Sequence, residues 1–310
     1  AKGWKAGVAK VIITPKESVW QAGYASRTHA SEGKLHDLWA KALALEDENG
    51  KKCVFVTTDM LGFPKAMSDR IRTQLDGKFG LAKAQIILNS SHTHSGPVLD
   101  DALHDIYPLD ANEEAKIARY SPQLEAQIIT LVGQALKDLE PVELFAQNGV
   151  TRFQVNRRNN KEASLREQTE LKGPNDYAVP VIKAVTANGK LKAVAFGYAC
   201  HPTVLDIYQF SGDYPGFAQI ELEKAHPGVT ALFFQGAAGD QNPLPRRTIS
   251  LARQYGRELA AAVDRVLEEP MRSLLAQLQT AYSEIALPLS TPPTEAELIK
   301  TQSETIPYLQ

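Results

Sequence analysis

The chain has 310 residues, 43% hydrophobic, 23% charged and 7% aromatic, close to the averages of a soluble globular protein with a sizeable core, which excludes disorder and fibre. Its 34 Lys and Arg against 36 Asp and Glu leave a formal charge of -2, with no excess of base to follow a phosphate backbone, so nucleic acid is not an expected partner. Apolar runs stop well short of the roughly 20 residues of a membrane-spanning helix, and the two cysteines, Cys53 and Cys200, are too few for a disulfide framework.

Val8 to Ile13, closed by Thr14-Pro15, reads as a first strand, and Leu38–Leu45 with Lys52–Thr58 as a hairpin around Asn49-Gly50. Pro64 opens a helix through Met67, Ile71 and Leu75 that stops at Gly80. Ile86-Ile87-Leu88 is a short buried strand, and Ser121-Pro122 is expected to cap a helix reaching about Leu139. Glu143–Val150 is a strand, and Asn188-Gly189 joins strands Val179–Thr186 and Leu191–Ala199. A helix capped by Asp213 and reaching about Ala225, a strand at Val229–Phe234 and a helix at Leu251–Leu267 complete the pattern, with no internal repeat. Interleaved strands and helices predict an α/β fold: a mixed, layered β-sheet flanked by helices. Residues 1–310 are expected to be one catalytic-type domain, incomplete at its C-terminal end, because Thr294 and Glu297 open a capping box shortly before Gln310. The first residues, Ala1-Lys2-Gly3, lack an initiator Met, as a processed N-terminus would, so a secreted or periplasmic location is expected ahead of a cytoplasmic one.

Four apolar strands run into polar turns: the one ending at Asp59, the one leading into Asn89-Ser90-Ser91-His92-Thr93-His94-Ser95-Gly96-Pro97, the one leading into Cys200-His201-Pro202, and the one leading into Gly236-Ala237-Ala238-Gly239-Asp240. In α/β sheets ligands bind beyond the carboxyl ends of strands, so neighbouring strands would bring these tails to one pocket. On a strand, the period of two places His92 and His94 on one face. Such a pair suits Zn²⁺, and a catalytic zinc needs a third protein ligand, for which His201 and Asp59 are the recruits. Arg157 and Arg158 read either as a solvated or salt-bridged edge, the commoner use of such a pair, or as forked donors to a carboxylate or oxyanion. Neither Gly-x-Ser-x-Gly nor His-Glu-x-x-His occurs, which leaves metal-activated water as the expected chemistry.

The run His92-Thr93-His94-Ser95-Gly96-Pro97 resembles the signature of the neutral/alkaline non-lysosomal ceramidase family. The likeness continues in order through Val8–Pro15, Ala22-Gly23-Tyr24, Leu35-His36-Asp37, Ala40-Lys41-Ala42, Asn156-Arg157-Arg158, Cys200-His201-Pro202 and Gly239-Asp240. The resemblance implies a zinc-dependent amidohydrolase that splits the N-acyl bond of ceramide or a related lipid or small-molecule amide, often exported, with possible contact at a membrane surface. It implies His92 and His201 as ligands of one Zn²⁺ per chain, His94 and Arg157 as pocket residues that orient the acyl carbonyl or oxyanion, and Asp240 as a supporting catalytic group. The family's Gly-Asp-x-Ser-Pro segment reads Gly239-Asp240-Gln241-Asn242-Pro243 here, so Asn242 replaces the Ser. The family's further Glu and Tyr ligands are not placed in this chain, and its immunoglobulin-like C-terminal domain is expected to be absent from it. The alternative these departures leave open is a catalytically impaired member that binds a metal or ligand in the cell envelope.

Overall fold

The computed structural model describes residues 3–303. Its first half contains β1 (Trp4–Ile12), β2 (Trp39–Glu46), β3 (Lys52–Thr58), α1 (Lys65–Phe79), β4 (Ile86–Ser90) and α2 (Ala111–Lys137). The second contains β5 (Glu140–Val150), β6 (Gln154–Asn156), β7 (Ala178–Thr186), β8 (Leu191–Tyr198), α3 (Asp213–Ala225), β9 (Thr230–Gln235), β10 (Gln241–Pro243) and α4 (Ile249–Glu268). The short β11 (Arg272–Ser273) and α5 (Glu295–Ser303) follow.

The main sheet runs β4-β3-β2-β1-β5-β7-β8-β9, with β11 beside β5, while β6 and β10 pair separately. Each half repeats one order: a strand, an antiparallel hairpin, a crossover helix and a parallel strand. The hairpins turn at Gly50 and Gly189, both at φ 80, where the missing Cβ removes the penalty of left-handed backbone. The crossovers β3–α1–β4 and β8–α3–β9 give the parallel pairs, and the halves join where β1 lies antiparallel to β5, Lys5 opposite Pro141. The repeat absent from the sequence is therefore present in the topology.

Alternation along the strands shows how the layers stack. On β2, Ala40, Ala42 and Ala44 pack under α1 and α2 with Met67, Ile71, Leu75, Leu124 and Ile128. On β8, Val194, Phe196 and Tyr198 pack under α3 and α4 with Phe217, Leu222, Leu259 and Val263. The opposite faces, carrying Leu43, Val142, Ala193, Ala195 and Leu232, meet in a third core between the halves. Period two thus separates an outer, helix-covered face from an inner face on every central strand. Alanines on the inner face let the two halves approach, and Phe55 meets Phe234 edge-on at 5.7 Å across them. Each fully buried Ile or Leu in these layers contributes roughly 1.5–3 kcal/mol.

One local expectation is corrected and another is met. The second helix begins ten residues earlier than Ser121: Asp110 caps it by accepting from Glu113 N at 2.8 Å, while Ser121 Oγ donates back to Ile117 O at 3.0 Å. Pro122 therefore lies inside α2, on its exposed side, tolerated because the buried face from Ile117 to Leu131 continues through it. The capping box expected at Thr294 is present, with Glu297 Oε2 accepting from Thr294 N at 2.8 Å. No helix among the described residues is long and apolar enough to cross a membrane.

Candidate metal centre

β3–β4 and β8–β9 stand at opposite ends of the sheet order, so the polar tails converge because the halves face one another, and not because all four strands are neighbours. His92, His94 and His201 come together there, with ligand nitrogens within 4.8 Å of one another. Ring centroids are 5.0 Å apart for His92–His94 and for His92–His201, and 5.8 Å for His94–His201.

The expected strand periodicity does not place the histidine pair. β4 ends at Ser90, and His92 sits beyond it in the left-handed region at φ 66, a conformation that costs a non-glycine residue on the order of 1–3 kcal/mol and is held by its surroundings. Those surroundings belong to the β3 tail: His92 N donates to Met60 O at 2.9 Å, and Nδ1 lies 2.7 Å from Leu61 O. His201 is fixed from the β9 tail, with Nδ1 2.5 Å from Ala238 O and its backbone N donating to Gln241 O at 3.0 Å. A carbonyl only accepts, so Nδ1 carries the proton in both rings and the Nε2 lone pair is left for a ligand. His94 differs. Both its ring nitrogens are buried without a well-formed hydrogen bond, although the Gly23 backbone lies against the ring.

Burial holds all three imidazoles neutral. Desolvation, with the neighbouring rings, pushes His94 down to about 2, and desolvation followed by His92 and Arg157 takes His201 to about 4. His92 is lowered by the same burial. Three neutral nitrogen donors close to one another, His201 buried and His92 and His94 half-buried, two of them anchored through Nδ1 to carbonyls, fit a borderline divalent metal such as zinc.

The other sequence candidates divide. Arg157 lines a polar cleft of about 710 Å³ together with His92, His201, Asn89, Arg158 and Gln235; its Nε donates to Gly239 O at 3.0 Å. Asp240 holds that turn: its backbone O accepts from Arg157 N at 2.7 Å, and its carboxylate accepts from Asn156 Nδ2 at 3.2 Å. It acts on Arg157 and is not among the metal-ligating cluster. Asp59 is likewise outside that cluster, a correction to its recruitment as a ligand. Its carboxylate is buried against Trp39 N at 2.9 Å and Gln219 Nε2 at 3.4 Å, in a small cavity with His36, Lys41 and Glu223. Asn242 is buried on β10 opposite Val155, with Oδ1 unpartnered.

Sequence reasoning missed a clamp on His94. The Tyr24 ring lies 4.8 Å from the His94 ring, and Arg27 stands over the Tyr24 and Tyr208 rings at 5.3 and 5.1 Å while donating to His94 O at 3.0 Å. Desolvation raises Tyr24 to about 12, against Arg247, so it stays a phenol. Tyr24 lies in a segment singled out only as part of a motif, and Arg27 carries no local signal, because its partners are far away in sequence. A second groove of about 350 Å³ shares His92, Leu61, Gly62 and Phe63 with the polar cleft and is otherwise lined mainly by apolar residues including Val98, Leu99 and Tyr107.

Comparison with known proteins finds relatives of this chain in sequence and in fold. Neutral ceramidase B of Dictyostelium discoideum is 26% identical over 247 residues, covering 72% of this chain and 33% of that protein. Neutral ceramidase of Drosophila pseudoobscura pseudoobscura is 25% identical over 265 residues, covering 77% and 36%. Among solved structures, a ceramidase complexed with C2 superposes with a TM-score of 0.76 at 22% identity, over 89% of this chain and 46% of that one. Neutral ceramidase from Pseudomonas aeruginosa gives 0.74 at 22% identity, with the same coverage; both establish likeness of fold. The chain thus spans between a third and a half of the length of these relatives. Residues 4–246 match the family described as neutral/alkaline non-lysosomal ceramidase, N-terminal, and the chain belongs to that family.

Proposed function

We propose that this chain carries the metal-dependent hydrolytic centre of a ceramidase-like enzyme acting on the N-acyl bond of ceramide or a related linear amide. The observation that carries the reading is the anchored pair His92 and His201, with His94 beside them, at the meeting of a polar cleft and an apolar groove. A bound divalent metal supplies Lewis acidity there, polarising a carbonyl and lowering the pKa of water.

The chain's own residues do the rest. His92 and His201 hold the metal through Nε2, because ligating histidines usually donate their other N–H to a carbonyl, as these two do. His94 lacks that anchor, which leaves its nitrogens to the substrate, and Tyr24 and Arg27 hold its ring in place. Arg157 presents forked donors across the polar cleft, where charge develops on the acyl oxygen. Asp240 and Asn156 keep Arg157's turn in position. The groove lined by Val98, Leu99 and Phe63 receives an acyl chain and keeps water from it. Asn242 has no hydroxyl, so a step that needs one is absent, and its buried amide favours a second reading as a metal-binding member without turnover.

Metal analysis of the wild type and of His92→Ala, His201→Ala and His94→Ala, paired with hydrolysis of short- and long-chain N-acyl substrates, tests this. About one zinc per chain, lost in the first two variants and retained in His94→Ala with turnover abolished, is the expected result. A metal-free wild type overturns the hydrolase reading. Bound metal with no hydrolysis of any N-acyl substrate leaves the binding protein.

A further inference from the structure

Two turns from opposite halves of the fold carry the imidazoles, and a third segment, residues 211–213, ties them together. On one side, Ser211 N donates to Ser95 O at 3.1 Å, and Thr93 Oγ1, between His92 and His94, donates to Ser211 O at 2.8 Å. On the other side, the Asp213 carboxylate accepts from Val204 N at 3.3 Å and Leu205 N at 2.8 Å, the residues that follow the His201 turn. Ser211 Oγ closes the segment by accepting from Asp213 N at 3.0 Å and lies 3.0 Å from His36 Nε2.

Asp213 is more than the helix cap its sequence position predicts. The cap residue of α3 is Gly212, and Pro215 offers no N–H, so the only helical amide bound to the carboxylate is that of Tyr214, at 2.7 Å. The carboxylate's other two acceptor contacts go to the His201 side. Asp213 is wholly buried and lies at φ 55, a left-handed conformation that a side-chain-bearing residue keeps only where its contacts over-determine it.

We propose that Asp213 is a positioning residue, whose buried carboxylate fixes the turn carrying His201 against the turn carrying His92 and His94. The proposal rests on the reading of these histidines as a metal-binding set. Asn suits the same left-handed backbone and has the same shape, but its NH₂ must face either Leu205 N or the Val204 and Tyr214 amides, donor against donor. Asp213→Asn therefore loosens the bracket while sparing the core.

The experiment compares the full chain, Asp213→Asn and the control Leu259→Ala, which opens a cavity beneath α4 at a fully buried site. It measures Zn²⁺ affinity by competition with a chelator and amide hydrogen exchange at Val204 and Leu205. In Asp213→Asn, affinity is expected to fall about 10- to 100-fold, with exchange at the two amides rising while that of β2 is unchanged. Leu259→Ala is expected to bind zinc within about threefold of wild type. Affinity within threefold in Asp213→Asn, or an equal loss in Leu259→Ala, overturns the proposal. If the wild type binds no zinc, the metal reading fails by itself and exchange decides: protection lost at Val204 and Leu205 supports the bracket, and unchanged protection overturns it. Should Asp213→Asn fail to fold, Asp213→Gly removes the carboxylate at a φ that glycine accepts freely and is read in the same way.

Discussion

Asn89, at the end of β4, and Gln235, at the end of β9, exchange two hydrogen bonds: Gln235 N donates to Asn89 Oδ1 at 2.9 Å, and Asn89 Nδ2 donates to Gln235 O at 3.4 Å. The strands are the two ends of the sheet order, so one side-chain amide does the work of a strand pair and fastens the halves beside the histidines. Asn89→Leu removes both bonds and leaves the Gln235 amide groups unmet next to an apolar side chain. The expected loss is about 1–3 kcal/mol, the usual cost of orphaning half-buried polar groups, read as a lower urea midpoint with unchanged m-value. A variant as stable as wild type would show that water replaces the bridge without cost.

Gly23 is a second point where the backbone decides the site. Its φ is 99, and a Cβ there would stand 2.5 Å from Cγ and Nδ1 of His94. Gly23→Ala must move the ring or the 22–24 turn, so it is expected to lower stability by about 1–3 kcal/mol. It is also expected to reduce turnover of N-acyl substrates more than it reduces zinc content. Zinc lost together with turnover would instead place His94 among the ligands.

Much of this was legible in the sequence. The Asn-Gly hairpins, the alternating β2 and β8, and the helix ended by Gly80 are local patterns, and local physics places them. The signature histidines and Arg157 stand out by their motif, but strand periodicity does not bring His92 and His94 together, because His92 is in a left-handed turn held by Met60 O and Leu61 O. Asp59 was misplaced for a related reason: the end of a strand can be read from the sequence, but the direction of its last side chain depends on α3, which supplies Gln219. Ser121-Pro122 looked like a helix start because the true cap, Asp110, stands before a polar turn. Arg27 was invisible, since Tyr208 lies about 180 residues away and no spacing encodes such a pair.

Pro122 offers a test of the corrected helix. It sits exposed within α2 and cannot donate to the carbonyl one turn back. Pro122→Ala restores that donor and helix propensity, offset by the greater freedom of the unfolded chain, and is expected to stabilise by about 1 kcal/mol. Thermal unfolding checks it, and a lower midpoint would mean that the proline shapes a bend on which the packing of Tyr120 and Leu124 depends.

Acid sensitivity of the metal-free chain follows from the buried imidazoles. His94 and His201 are lowered from 6.5 to about 2 and about 4 by burial, and His36 and His92 are lowered by the same cause. Between about 4 and 6.5 the unfolded chain therefore holds protons that the folded chain refuses, so stability falls as pH drops through that window. Asp213, raised by burial from 3.8 to about 6, acts in the opposite sense between those values, as does Asp59, also raised by burial. His94 and His201 are each displaced further than Asp213 and together outweigh it, so the net slope keeps the histidine sign. Urea midpoints of the metal-stripped protein are expected to fall steadily from pH 7 to 5, and His201→Asn is expected to flatten that fall. A midpoint independent of pH over this range would show that the imidazoles accept protons in the folded state, and that the site is wetter than its burial indicates.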